Sequence, residues 1–336
     1  MSSVALAYDL VGEIAARRGI TADDVRALRR EVFAGGIVSR ADAQAIFDLD
    51  TTCHVKDLAW ADLYVDTLTD YFVWQSEPSG FIDTAKTGLL MENIVREGRV
   101  AHAAALELLI NVIFWAESCP EDLVVLVLEA VLESVLGPGR AAYGAGRRPG
   151  RIDAVDVEVI RKVLNAGASC GGLSISRRKA DLLFDLNRAS VERENDPGWR
   201  ELFVRSLATH LMFPQGLPVE PAEPQGSRRE AWLRERRGIG LLLMDVGRAF
   251  GGFDFAAVWK EVAPRQGGDE GTTKDGDTRG ARPGGAIAQA EAQWLIARLG
   301  GIDSISENER ALLSYIRQEA PALDPILGEA LIKAAG

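Results

Sequence analysis

Apolar positions fall three and four residues apart along most of this chain. Val4, Ala7, Val11 and Ile14 form one such series and Val25, Leu28 and Val32 another, each lying on one face of a helix. No stretch alternates convincingly between apolar and polar residues, so the pattern predicts an all-α protein. Polar residues mark the helix starts. Thr21 is placed to cap a helix with Asp24 reaching back, while Ile20 staples onto Val25; Asp153, Asp156, Ile152 and Val157 repeat the device.

That recurrence is general. Residues 20–82 return, altered, over residues 152–219. Phe47-Asp48-Leu49-Asp50 reappears as Phe184-Asp185-Leu186-Asn187, and Trp60, Tyr64, Val65 and Leu68 as Trp199, Phe203, Val204 and Leu207. An internal repeat predicts architecture ahead of any single residue. The expected fold is an internally duplicated helical bundle with two pseudo-equivalent halves, each an A unit followed by a B unit.

In the first A unit a helix over residues 22–34 meets Gly35-Gly36-Ile37-Val38-Ser39, where glycine permits a sharp reversal and Ser39 caps the next helix. A longer helix over 57–75 carries Trp60, Tyr64, Tyr71, Phe72 and Trp74 and stops at Pro78-Ser79-Gly80-Phe81. The second A unit follows the same plan over 154–166 and 177–186. There, Asp196-Pro197 opens the helix of Trp199 and Phe203. The B units match more loosely: helices over 84–96, 102–117 and 121–136 in the first half, and over 286–299, 306–319 and 323–333 in the second.

These elements divide the chain into a first bundle over residues 1–136, a linker over 137–150 and a second bundle over 151–336. The second bundle carries an additional helix pair between 227 and 262. Residues 265–285 hold Gly, Asp and Thr without a large apolar side chain, too little to offset ordering entropy, and are expected to be a disordered insertion.

At 336 residues and 47% hydrophobic, the chain is large enough for two cores. A formal charge of -11 makes sequence-independent nucleic acid binding an unfavourable reading. Cys53, Cys119 and Cys170 are an odd number, far apart, and form no disulfide framework or metal clip. Asp9 interrupts the apolar run that a secretory signal needs, and the Leu123–Leu128 stretch is flanked by Glu121, Asp122, Glu129 and Glu133 instead of spanning a membrane. A cytoplasmic protein with reduced thiols is the expectation.

Catalytic fingerprints such as Gly-x-Ser-x-Gly or a phosphate-binding Gly-x-x-x-x-Gly-Lys loop do not occur. Asp66 and Asp70 share a helical face and read as solvated surface. His54 beside Cys53 raises a zinc reading, but no spaced set of three or four ligands accompanies it. His210 stands where the first repeat has Tyr71 and reads as packing beside the aromatic helix. No metal site and no cofactor is expected. Two features stay open as partner surfaces: the aromatic helices with Trp60, Trp74 and Trp199, and the little-compensated arginines Arg147, Arg148 and Arg151. A buried stripe is the ordinary reading of the aromatics, and a groove receiving a partner's helix the functional one.

The helix, glycine, apolar residue, cap and helix pattern resembles the TerB-like (tellurite-resistance) helical family. It occurs at Gly35-Gly36-Ile37-Val38-Ser39-Arg40-Ala41-Asp42, Glu97-Gly98-Arg99-Val100 and Asp303-Ser304-Ile305-Ser306-Glu307-Asn308-Glu309. The family's typical Asp-Gly is altered in all three turns, and the first turn lacks the alternating oxygen ligands of a calcium loop. The resemblance implies degenerate EF-hand-like helix pairs. It fits a non-catalytic interaction, scaffold or stress-response protein with a protein partner, ahead of a metal-sensing protein or an enzyme of unfamiliar type.

Overall fold

The computed structural model describes residues 3–31, 38–137, 150–166, 172–173, 175–213, 217–218, 287–299, 305–320 and 325–328. Arg147, Arg148, the expected helix pair between 227 and 262 and the expected disordered tract 265–285 lie outside the described residues. Helices dominate, and the strands among the described residues are pairs of two residues each. The protein is all-α. Described residues up to Gly150, with 158–166, form one compact unit; residues 151–157, 172–218 and those from 287 onward form a second.

In the first unit, α1 (Ser3–Arg17), α2 (Ala22–Glu31) and α3 (Arg40–Thr52) precede the aromatic helix α4 (Ala59–Thr69). The start of α2 is closed as its sequence predicts: Thr21 N–H donates to Asp24 Oδ2 at 2.9 Å and Asp24 N–H to Thr21 Oγ1 at 3.2 Å. Ser39 and Asp42 form the same reciprocal box on α3. A two-residue parallel pair, Gly19–Ile20 with Val55–Lys56, ties the entry of α2 to the entry of α4. Phe47 meets Tyr64 edge-on at 6.0 Å, so α3 and α4 share one aromatic core.

The aromatic helix does not stay α to residue 75. Asp70–Gln75 opens into a π-helical turn, with Ser76 N–H reaching Tyr71 O at 2.9 Å. Asp70, expected on solvated surface, is instead buried in this turn, where Gln75 Nε2 donates to it. The following loop is organised by one cation. Lys86, on α5 (Thr84–Ile94), donates from its ammonium to the carbonyls of Ser76, Pro78 and Phe81, each at 2.8 Å. Burial lowers its pKa, against the raising effect of Asp83 and Glu77.

The helix expected to run to residue 96 ends at Ile94. Val95–Arg96 then pairs antiparallel with Arg99–Val100 across Glu97 and Gly98, both with positive φ, 54° and 76°. Two left-handed residues in succession are what a tight two-residue hairpin requires, and glycine takes the second without strain. Beyond it, α6 (Ala103–Trp115) packs along α4, and α7 (Glu121–Leu136) packs on α6.

The helix α8 (Ala154–Leu164) begins in the second unit, followed there by α9 (Arg177–Ser190) and α10 (Pro197–Met212). Two further helices, α11 (Gln289–Leu299) and α12 (Glu307–Glu319), complete the described part, with α10 packed along α12 as α4 is along α6. The last half of α8 groups with the first unit, where Lys162 lies 4.1 Å above the Phe114 ring. Helix α9 passes its expected end at 186 because Asn187 and Ser190 are buried, Ser190 Oγ donating to Leu186 O at 2.9 Å.

Several first-unit bonds recur in the second. Asp153 N–H donates to Asp156 Oδ2 at 2.9 Å, as Thr21 does to Asp24. Asp196 N–H reaches Ile152 O at 2.8 Å, as Asp57 N–H reaches Ile20 O at 2.9 Å. Phe184 meets Phe203 edge-on at 5.4 Å, as Phe47 meets Tyr64.

Candidate functional site

The last residue of the repeated Phe-Asp-Leu-Asp motif anchors a polar node in the first unit. Asp50, near the end of α3, accepts from Trp60 Nε1 at 2.8 Å and from Lys56 Nζ at 2.6 Å on one oxygen. His102 Nε2 lies 2.7 Å from the other oxygen. Burial opposes the Asp50 charge, but hydrogen bonds from His102, Lys56 and Trp60 overcome it and bring the pKa down to about 2.

His102 is also the N-cap of α6, its Nδ1 accepting from Ala105 N–H at 3.2 Å. That bond assigns the lone pair to Nδ1 and the donated hydrogen to Nε2. Both ring nitrogens are therefore engaged. An Asp–His pair so arranged holds α3, α4 and α6 together and leaves no imidazole nitrogen to take a proton from a substrate.

The corresponding node of the second unit carries no charge. Asn187 stands in the place of Asp50. Its Oδ1 accepts from Trp199 Nε1 at 3.3 Å and from Asn308 Nδ2 at 2.8 Å, while its Nδ2 donates to Ser306 Oγ at 3.1 Å. Ser306 caps α12 as His102 caps α6. The connecting segment is longer: Asn187 and Trp199 are 12 positions apart, Asp50 and Trp60 10.

Beside this looser node a cleft of about 340 Å³ opens between the segment before α10 and the first turn of α12. Val191, Arg193, Asn195, Pro197, Trp199 and Asn308 are among the residues that line it. Arg200 is held there by Glu307 at 2.6 Å and by Asn308 Oδ1 at 3.1 Å. Asn195 is fixed by Ile152 N–H, at 3.0 Å, and by its own bond to Ser190 O, at 2.9 Å. The Arg193 guanidinium makes no hydrogen bond or ion pair with a described residue, and Val191 is 53% exposed.

The aromatic residues singled out from sequence are core residues. Trp60 is 2% exposed and Trp199 fully buried, and each indole donates inward to its node. Trp74 lies buried in the π-turn, where its Nε1 has no acceptor among the described residues. Arg151 is exposed and immediately precedes Ile152, whose N–H holds Asn195 of the cleft.

The remaining polar candidates are dispersed. Cys53 is buried and His54 beside it exposed, so the two do not converge. Burial raises the Cys53 thiol pKa, with Asp50 adding to the rise and Lys56 opposing it. Among the described residues, no group of three or more His, Cys, Asp and Glu side chains is placed to hold a metal ion. His210 is buried beside Trp294, rings 4.9 Å apart, with Nδ1 2.8 Å from Ile175 O. His210 belongs to the aromatic helix α10 itself and packs against Trp294 of α11. No helix among the described residues is long and apolar enough to cross a membrane.

The node and the cleft escaped the sequence reading, although one signal was present. The strongest repeat anchor differs at its last position, Asp50 against Asn187, and that exchange sits at the centre of both nodes. No family model matches the chain, and no curated protein and no solved structure matches it either.

Proposed function

We propose that the chain is a non-catalytic interaction protein, built as a duplicated helical bundle, whose second unit receives a protein partner at the cleft beside Trp199. The observation that carries this reading is the cleft itself. It has a half-exposed valine and an uncompensated guanidinium at the place where the first unit is closed by Asp50, Lys56 and His102. Apolar contact area beside a charged group is what a protein docking point combines. The engagement of both His102 nitrogens and the dispersal of Cys53 and His54 fit a binding role. The TerB-like resemblance of the glycine turns fits a helical scaffold and adds no activity.

The test compares two tryptophan substitutions at exposed positions. Val191→Trp adds bulk at a residue that lines the cleft, and Val55→Trp, at a 74% exposed residue in the first unit, leaves the cleft unaltered. Partners recovered from the native cell by the unaltered protein and by Val55→Trp, but lost from Val191→Trp, sustain the proposal. The same partners on all three proteins overturn it.

A further inference from the structure

We infer that the cleft of the second unit takes an extended peptide bearing a carboxylate side chain next to an apolar one. This rests on the partner-binding reading above and adds the chemistry of the partner.

The charge argument begins with the nodes. In the first unit a carboxylate is built in, and three side-chain donors converge on Asp50. In the second the equivalent residue is an amide, and the longer connection before α10 brings Arg193 to the cleft wall. The acids in that wall are already committed. Glu307 pairs with Arg200, and Asp196 Oδ1 accepts from Gly198 N–H at 2.8 Å as the cap of α10. Among the described residues, the Arg193 guanidinium has no hydrogen-bonded or ion-paired partner in this lining.

The segment's other acids stay outside the lining. Val191, Arg193 and Asn195 line the cleft, whereas the intervening Glu192 and Glu194 do not. The turn that leaves α9, closed by Arg193 N–H on Ser190 O at 3.0 Å, leaves both acids exposed outside the cleft lining. An incoming carboxylate therefore meets a cation without meeting a free acid in the lining.

The apolar half follows from Val191 and Pro197, which also line the cleft. A guanidinium pairs with a carboxylate through parallel N–H donors, and an adjacent branched side chain covers exposed valine. A volume of about 340 Å³ accommodates a short peptide segment and lies at the small end of the roughly 300–1,000 Å³ usual for ligand pockets.

The test uses the full chain, labelled with nitrogen-15, and two probes: acetyl-Leu-Glu-amide and acetyl-Leu-Gln-amide. The readout is the Trp199 indole N–H and the Asn308 side-chain amide as each peptide is titrated. The glutamate peptide is expected to bind about five-fold more tightly, the size of a partly exposed ion pair. Arg193→Gln, an exposed substitution checked by an unchanged thermal melt, is expected to erase that preference while leaving weak binding of both peptides. Equal binding of the two peptides to the unaltered protein, or a preference that survives Arg193→Gln, overturns the acidic specificity and leaves the docking site standing. No saturable change at Trp199 or Asn308 with either peptide overturns the inference and counts equally against the docking site.

Discussion

In the first unit the end of α3 carries a carboxylate on which a lysine, an indole and an imidazole all close, with distances from 2.6 to 2.8 Å. In the second the same place carries an amide, its indole bond stretches to 3.3 Å, and a cleft stands beside it. The exchange of one oxygen for one nitrogen, with a longer connection, separates a sealed joint from an accessible one. Charge explains the difference. A buried carboxylate is costly until several donors surround it, so it draws its neighbours inward, whereas an amide is satisfied by two or three ordinary hydrogen bonds.

The harshest way to break the comparison is to remove the indole from each node. Trp60→Ala and Trp199→Ala are each expected to cost about 3–5 kcal/mol in chemical denaturation. The first should cost more, because it also takes a donor from the Asp50 carboxylate. Equal losses, or a larger one at Trp199, contradict the sealed-joint account.

Acid should next separate the two units. The Asp50 pKa is depressed to about 2 from 3.8, so its contribution is present above about pH 4 and is lost as pH falls through about 2. That contribution is of order 2 kcal/mol. Asp50→Asn is expected to flatten the acid limb of stability against pH, while Asn187→Ala leaves its slope unchanged.

Mild base gives a smaller effect, confined to the first unit. Burial raises the pKa of Glu107, on α6, to about 7, with Asp62 and Asp66 adding to the rise and Lys162 opposing it. A raised carboxyl pKa contributes stability that is present below about pH 4.5 and is lost as pH rises through about 7. Glu107→Gln should therefore stabilise the protein at pH 8 by about 1–2 kcal/mol and remove the slope between pH 5 and 8. An unchanged slope in a pH series of melts refutes this assignment.

The gentlest test sharpens the comparison. Asn187→Asp places a carboxylate in the second node without a lysine or histidine to meet it, at an expected cost of about 1 kcal/mol at pH 7. The cost should shrink as the solution is acidified and the new carboxyl group takes up a proton. Urea titrations at pH 7 and pH 5 check this directly.

Much of the scaffold was legible because its determinants are local. Thr21 with Asp24, Ser39 with Asp42 and Ser306 with Glu309 each close a helix start over three positions, a distance that pattern reading sees. The node depends on residues far apart in sequence, 52 positions for Asp50 and His102 and 119 for Asn187 and Ser306, so periodicity carried no trace of it. The π-turn was hidden for a different reason. Its residues keep helical spacing, and the bonds that accompany the opened turn include a long-range one, with Gln75 donating to Asp70 and accepting from Val38 N–H at 2.5 Å. The aromatic stripe was read correctly as spacing, and burial of Trp60 and Trp199 gives it an internal role.

One consequence concerns the order in which the chain can organise itself. The Lys86 ammonium reaches back only 10 positions to Ser76, 8 to Pro78 and 5 to Phe81. A closure so short costs little chain entropy and belongs with the fast, local contacts of folding. The same turn is also tied to the chain after α6, Ile82 N–H donating to Ser118 O at 2.9 Å and Glu117 N–H to Gly80 O at 2.7 Å, so the lysine supplies its local closure and the later segment its long-range one. A lysine buried among carbonyls thus joins three nearby points of the exit of α4 to the start of α5, at little cost in loop closure.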